Sequence, residues 1–302
     1  MRRVVCAVDI GATKFEVGLV GEGGELLDRS RCEVDHDVGP QSHFSALAVL
    51  IAEQLERARD QHHANPVAIG VGCAGPIERD CATVSPVNIT AWKRFPLRGH
   101  LAELTGLDVH GDLDAKALAV AEGWLGAGRG IRDFCTMTVS TGVGGALVID
   151  GQVLDGDSGN AGHIGHLIVV PDGRRCGCGA RGCLEAEASG RAVEAITGRS
   201  PRQPTYEIMQ RTGTLVGRAA ASICNVADLD LVVVGGAVAL GFGATFLNAA
   251  QLELDERARV GVGVAPRIVQ TRLADRGPLI GAAAIAWQAL GVEVGPRVAR
   301  VV

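Results

Sequence analysis

Val4-Val5-Cys6-Ala7-Val8-Asp9-Ile10-Gly11-Ala12-Thr13-Lys14-Phe15-Glu16-Val17-Gly18-Leu19-Val20 is the stretch from which the fold can be read. A short valine-rich run, Val4 to Asp9, reads as a buried strand. Gly11-Ala12-Thr13-Lys14 turns the chain, and Phe15 to Val20 reads as the next strand. The same pattern recurs: Phe134 to Thr141 reads as a strand, Gly142-Val143-Gly144-Gly145 as a turn, and Ala146 to Asp150 as a strand. Setting Gly11 over Gly142 aligns the two segments at an offset of 131 (142 − 11). An internal repeat of this kind predicts two similar halves facing one another.

Further elements extend each half. Gly21-Glu22-Gly23-Gly24 leads into a third strand, Glu25 to Val34. Phe44 to Arg59 carries apolar residues at helical spacing, with charge at Glu53, Glu56, Arg57 and Arg59. Val67 to Cys73 is a strand that ends in Ala74-Gly75-Pro76. Asp114 to Leu125 is an alanine-rich helix closed by Gly126 and Gly128. In the second half come helix Thr214 to Val226, strand Leu231 to Val234, the Gly235-Gly236 turn, helix Phe242 to Arg259, strand Arg267 to Thr271 and helix Leu279 to Leu290. Strands and helices mix throughout, so the class is α/β.

Composition narrows the function. The chain has 302 residues, a net charge of −5 and 47% hydrophobic residues. That is too apolar for a disordered chain, and the acidic balance argues against nucleic-acid binding, which needs a basic field. The longest uncharged stretch, Leu231 to Leu247, is broken by Gly235, Gly236, Gly241 and Gly243 and falls short of the roughly 20 apolar residues of a spanning helix. No membrane partner is expected. The first residues reach Asp9 too soon for a signal-peptide apolar region. Nine cysteines, six of them scattered singly, fit reduced thiols in a cytoplasmic protein.

Two constellations carry chemistry. Backbone N–H groups converging in a tight turn make an anion site, with glycine allowing close approach. Asp9 to Lys14 offers small residues, a hydroxyl, an ammonium, and an acid able to hold Mg²⁺ through water. Ser140-Thr141-Gly142-Val143-Gly144-Gly145 offers a second such turn. Neither matches the P-loop pattern, and each alone reads more readily as a hairpin turn; the matched pair, with Gly235-Gly236 after a buried strand, weighs considerably against that reading. The second constellation is His166, Cys176, Cys178 and Cys183, spaced H-x9-C-x-C-x4-C. Three thiols and an imidazole suit a tetrahedral structural Zn²⁺. His163 competes with His166 for the fourth place.

These segments together resemble the ROK family of sugar kinases and sugar-responsive repressors. The resemblance rests on Asp9 to Lys14, Thr141 to Gly145, Gly159-Asn160-Ala161-Gly162-His163-Ile164-Gly165-His166, and Cys176 to Gly190. Ser85-Pro86-Val87-Asn88 through Trp92 to Val109 looks like the family's segment before its catalytic aspartate. The resemblance runs from about residue 4 to 290. It implies an actin-like ATPase (ribonuclease H-like) fold with two α/β domains flanking a cleft: a small one over 1–113, rejoined by 290–302, and a large one over 114–289 with a zinc loop at 166–183. It implies ATP and Mg²⁺ as cofactors, with phosphates taken by Asp9, Gly11, Thr13, Lys14, Thr141, Gly142, Gly144, Gly145, Gly235 and Gly236. It implies zinc on His166, Cys176, Cys178 and Cys183, and a sugar substrate met by Gly75, His163, His166 and Glu185. A metal on one nitrogen of His166 would aim the other. The family's catalytic aspartate stands eight residues before a glutamate; Asp114 stands so before Glu122 and is the expected base for a hexose 6-hydroxyl, with Asp112 in reserve. A helix N-cap is the plainer reading of Asp114. A homo-oligomer, dimer or tetramer, is the family expectation.

The chain departs from the kinase pattern at several positions. Leu113 replaces a sugar-binding asparagine, Lys116 is unusual at its place, and His163 replaces a glutamate, a feature of the repressor branch. Ala12 and Ser140 replace glycines with small residues. Losing a hydroxyl's partner costs on the order of 1–3 kcal/mol, so these changes bear on which sugar is preferred. The alternative expectation is a sugar-sensing regulatory protein with weak or no kinase activity. Against it stand the acidic balance and the strand at the start of the chain, where a repressor would carry a DNA-binding helical domain. An actin-like polymerising ATPase is disfavoured by the cysteine loop.

Overall fold

The valine-rich run becomes β1 (Arg2–Ile10) in the computed structural model, which describes residues 1–261 and 263–298. It is followed by β2 (Lys14–Gly21) and β3 (Leu26–Glu33). β1 is buried from Val4 to Ile10 and β2 from Phe15 to Gly21, whereas β3 alternates along its second half. That alternation fits an edge strand with one face to solvent. Helix α1 (Pro40–Asp60) buries Phe44, Leu47, Ile51, Gln54 and Ala58, a stripe at steps of three and four. β4 (Ala64–Cys73), α2 (Leu97–Thr105), β5 (Val109–Leu113) and α3 (Asp114–Leu125) follow. The sheet runs β3-β2-β1-β4-β5, with an antiparallel meander on one side and parallel β1, β4 and β5 on the other.

Two compact units emerge. The first holds Met1–Leu125, Asp155–Ala161 and the chain from Asp275 on, including helix α8 (Gly277–Ala289). This division differs from the boundary expected after residue 113. The reason lies in packing: α3 is buried without a break from Ala115 to Glu122, and α8 from Leu279 to Trp287. A Cβ on Gly70 of β4 would lie 2.1 Å from the Ala282 carbonyl oxygen, and one on Gly281 would lie 2.2 Å from that of Ala117. Glycine thus lets α8 press against both β4 and α3, and neither helix can leave this core.

The second unit holds Gly126–Leu154 and Gly162–Ala274. Its strands are β6 (Phe134–Val139), β7 (Val143–Ile149) and β8 (Gln152–Val153). Helices α4 (Leu184–Ala188), α5 (Gly190–Thr197) and α6 (Tyr206–Ala227) come next. Then come β9 (Leu231–Gly235), α7 (Ala237–Arg257) and β10 (Arg267–Gln270). The uncharged stretch 231–247 therefore divides into β9, a glycine turn and the first half of α7, whose helix is interrupted at Gly243. These strands run β10-β9-β6-β7-β8, again an antiparallel hairpin joined to a parallel pair.

The repeat seen in the sequence is therefore a repeat of topology. Its offset is not constant. Ile10 pairs with Phe15 across a four-residue loop (11–14), whereas Val139 pairs with Val143 across three (140–142). The two hairpins share strand order and differ in turn geometry.

Candidate functional site

In an open parallel sheet, ligands bind beyond the carboxyl ends of the strands. In the first unit, β1, β4 and β5 end together: Asp9, Gly72 and Asp112 stand in one row, and Ile10, Cys73 and Leu113 in the next. One step on are the Gly11 turn, Ala74-Gly75 and Asp114. The fold thus collects Asp9, Gly11, Gly75 and Asp114, four of the sequence-predicted positions, at the carboxyl end of one sheet.

Asp9 is 8% exposed. Burial, and then the charge of Asp114, raise its carboxyl to about 7, against the pull of Lys14. Asp114 is likewise raised by burial, partly offset by a hydrogen bond that its Oδ1 accepts from the Ala115 N–H at 2.7 Å. Two buried acids, one raised by the charge of the other, suit a divalent cation and a proton acceptor. Asp114 opens α3, and the bond recorded for its carboxylate goes to the next residue rather than to the N2 or N3 amide of a usual cap.

Asp112, the reserve base, is committed elsewhere. Its Oδ1 accepts from the Leu113 N–H at 2.7 Å and lies 3.5 Å from Lys116 Nζ. Lys116 is wholly buried. Its ammonium donates to Asp155 Oδ1 at 2.6 Å and to the Gly159 carbonyl at 2.9 Å. Arg79 reaches the Gly156 and Asp157 carbonyls, and the Asn160 side chain bonds both the N–H and the C=O of Ile77. The segment 155–161 is thereby clamped beside the start of α3. Sequence reasoning flagged Lys116 as odd but had no signal for its partner, which lies 39 residues on.

Lys14 forms an ion pair with Glu16. Glu16 is buried, and Arg29 links it onward to Asp275 through contacts of 3.6 and 2.8 Å. Glu16 was missed, though Lys14 and Glu16 alternate onto one face of β2 and a period-two reading would have paired them. Gly11 donates its N–H to the Lys14 carbonyl at 3.1 Å, closing the first turn on itself. Thr13 is exposed. The Gly75 carbonyl accepts from the Val87 N–H at 3.1 Å.

In the second unit the Ser140 and Thr141 carbonyls accept from the Gly190 and Arg191 N–H groups at the start of α5. The Val143 N–H donates to Glu185 Oε2 at 3.0 Å. Glu185 sits in the first turn of α4, two residues after Cys183. Gly144 and Gly145 lie inside β7, opposite Thr138 and Met137. A Cβ on Gly145 would meet Ile164 at 2.4 Å, so its smallness serves packing. Gly235 closes β9, and Gly236 takes φ 95°, with the Val139 carbonyl 2.4 Å from where a Cβ would stand. Only glycine fits there.

His166, Cys176, Cys178 and Cys183 come together, each offering a ligand atom within 4.8 Å of the others. Cys176 Sγ lies 3.6 Å from His166 Nδ1, and Cys178 Sγ lies 3.7 Å from Cys183 Sγ. Bonds of about 2.3 Å to sulfur and about 2.0 Å to nitrogen at tetrahedral angles give edges of about 3.5–3.8 Å, so the donor set fits zinc. The competition between histidines resolves by geometry: His166 joins the cluster, while His163 is exposed, its ring 5.9 Å from that of His166. Since Nδ1 faces the thiols, Nε2 of His166 is directed elsewhere. Glu187, buried on α4, takes the Arg174 N–H and pairs with Arg211 at 2.6 Å, bracing the loop from behind.

The comparisons follow the same geometry. The pattern described as "ROK family" matches residues 5–289. The chain is 37% identical to an N-acetylmannosamine kinase of Shigella boydii over 78% of this chain and 84% of that one. It is 32% identical to a glucokinase of Halalkalibacterium halodurans, over 85% and 79%. Among solved structures it resembles a ROK family glucokinase from Streptomyces griseus in complex with glucose and AMPPNP. That match has a TM-score of 0.83 and 28% identity, covering 94% of this chain and 99% of the other.

Proposed function

From the premise that this chain belongs to the ROK family, has an actin-like ATPase-type fold and is a sugar kinase, we propose that it transfers the γ-phosphoryl group of ATP to the 6-hydroxyl of a hexose or N-acetylhexosamine, with Asp114 as base. The observation that carries this reading is the carboxyl-end row of the first sheet. Asp114 stands there with its proton affinity raised by burial, next to Asp9, while the neighbouring Asp112 is tied to Lys116.

From the first unit, Asp114 takes the proton of the attacking hydroxyl as its oxygen bonds to the γ-phosphorus. The bond from that phosphorus to the β,γ-bridging oxygen breaks, and ADP leaves. A raised carboxyl is the better proton acceptor for a sugar alcohol. Asp9 is the carboxylate suited to Mg²⁺, which when bound neutralises phosphate charge. Gly11, Thr13 and Lys14 line the phosphate turn, and Gly75 offers backbone to the sugar. From the second unit, Thr141, Gly144 and Gly235-Gly236 flank the nucleotide. Glu185, His163 and Nε2 of His166 hold sugar hydroxyls. Zinc on His166, Cys176, Cys178 and Cys183 keeps the imidazole and α4 in register.

The test is ADP release by purified protein with Mg-ATP against glucose, mannose, fructose, N-acetylglucosamine and N-acetylmannosamine. Turnover with one or two of these, lost in Asp114→Asn, is the expected result. Full sugar-dependent turnover by Asp114→Asn removes the assigned base. Silence across the panel with sugar still bound favours a sensor.

A further inference from the structure

Gly142 was assigned to phosphate because a glycine in such a turn admits close approach of an anion. The side on which its Cβ would stand faces a different group. A Cβ built on Gly142 would stand 2.7 Å from Glu185 Oε2 and 3.6 Å from Glu185 Cδ. Apart from the glycine and its two chain neighbours, those are the only atoms of the described residues within 4 Å of it. Gly142 is absent from the positive-φ glycines, so its backbone does not itself demand glycine. What the missing side chain provides is room for a carboxylate. The next residue completes the arrangement, since the Val143 N–H donates to that same Oε2 at 3.0 Å.

Glu185 is also fixed at its other end. Cys183 caps α4 and belongs to the Cys3His cluster, and Glu185 follows it in the first turn. The carboxylate is therefore held at its root by the metal loop and at its tip by the hairpin.

We propose that Gly142 and the Val143 N–H form a seat for the Glu185 carboxylate, which makes Gly142 a positioning residue for sugar recognition. The proposal rests on the reading of Glu185 as a sugar-binding group. In the seat, Val143 occupies Oε2 and turns Oε1 toward the substrate. A carboxylate held by a backbone amide loses little rotamer freedom when a hydroxyl arrives, which is how preorganisation gains affinity.

Gly142→Ala tests this cleanly. The methyl group meets only the far end of a flexible side chain, which rotates away, so the fold should survive with an unchanged melting temperature. Displacing a binding group by about 1 Å costs up to about 100-fold. The expected result is a 10- to 100-fold rise in KM for the accepted sugar, with KM for ATP changed less than about twofold. Glu185→Gln should raise the sugar KM as well. The double variant should be no worse than the poorer single one, because both changes act through one group.

Equilibrium binding of glucose or N-acetylmannosamine, and separately of Mg-ADP, reads the same split without turnover. A Gly142→Ala protein that loses Mg-ADP and keeps sugar overturns the seat. So does one that loses both equally, one that loses neither, or a double variant whose losses multiply. If the wild type binds sugar but phosphorylates none of the panel, the kinase reading fails while the binding split still decides the seat.

Discussion

Replacing Lys116 by methionine probes the first unit where its chemistry is most enclosed. The ammonium has no exposure, and four oxygens face it: Asp155 Oδ1 at 2.6 Å, the Gly159 carbonyl at 2.9 Å, the Asp155 carbonyl at 3.4 Å and Asp112 Oδ1 at 3.5 Å. Methionine fills much of the volume and removes the charge. Asp155, 4% exposed, is then left with Arg79 at 3.5 Å as its remaining cation. Breaking one side of a buried pair costs about 3–5 kcal/mol because the other charge stays buried and uncompensated. Native proteins are stable by about 5–15 kcal/mol, so the loss takes about a fifth or more of the total. Neutralising the nearer partner as well, in Lys116→Met/Asp155→Asn, removes the charge closest to the lost ammonium, leaves Asp112 at the longer 3.5 Å contact, and should restore more than half of it. The assay is urea unfolding followed by tryptophan fluorescence. Trp92, Trp124 and Trp287 all lie in the first unit, so the signal reports that unit. A single variant within about 1 kcal/mol of wild type, or a double variant no better than the single, refutes the reasoning.

Asp9 gives a pH signature. Its folded value of about 7 stands above the unfolded 3.8, so in Mg²⁺-free buffer the native state holds a proton that the unfolded chain has lost. Stability should fall as pH rises from about 4 to 7 and level off above that; urea midpoints across pH should show the slope, and Asp9→Asn should flatten it. Asp114→Asn should lower kcat by about 10²- to 10⁴-fold, the range for a lost general base, with sugar binding by calorimetry kept. Elemental analysis should find one zinc per chain, and Cys183→Ser should lose it together with sugar affinity while Mg-ADP affinity stays within about twofold; metal-free protein with full sugar affinity would separate the loop from recognition.

The strands and the two hairpins were legible because valine-rich runs bounded by glycine are strong local signals. Asp114 to Leu125 was read to the residue, since acid at the start and glycine after the end mark it on both sides. What escaped reading was set by tertiary partners. β5 contains a buried glycine and a buried aspartate, Gly111 and Asp112, which break the apolar run a buried strand would show. α6 starts eight residues before the expected Thr214, capped by Thr205, because Glu207, Gln210 and Arg211 hide its apolar stripe. In the site, the Cys3His set was readable from spacing and ligand type. Glu16, Asp155 and Glu187 were not singled out, because a buried acid declares itself only through the cation opposite it. Those cations are Lys14, Lys116 and Arg211.

The two hairpins share a scaffold and differ in where their charge comes from, and that difference accounts for the division of labour. At the end of β1 the acid is built into the strand as Asp9, with Lys14 and Glu16 following on β2. At the equivalent end of β6, Thr138 carries no charge, and Gly142 and Gly144 stand where Lys14 and Glu16 stand in the first hairpin. The negative group there arrives from outside the sheet, as Glu185 on a five-residue helix. A helix that short has little stability of its own. It needs a fixed anchor, and the anchor available is the ligand cluster that includes its cap, Cys183, braced by Glu187 and Arg211. On the proposed function, the acid on the strand is positioned by the sheet for metal binding beside the base at Asp114. On the same proposal, the acid on the short helix, Glu185, is positioned by the Cys3His loop and the glycine seat, and it can be tuned to a substrate without disturbing the strand that carries Asp9. Sugar choice should therefore respond to changes in the loop and in the Gly142 turn while the chemistry at Asp9 and Asp114 stays constant.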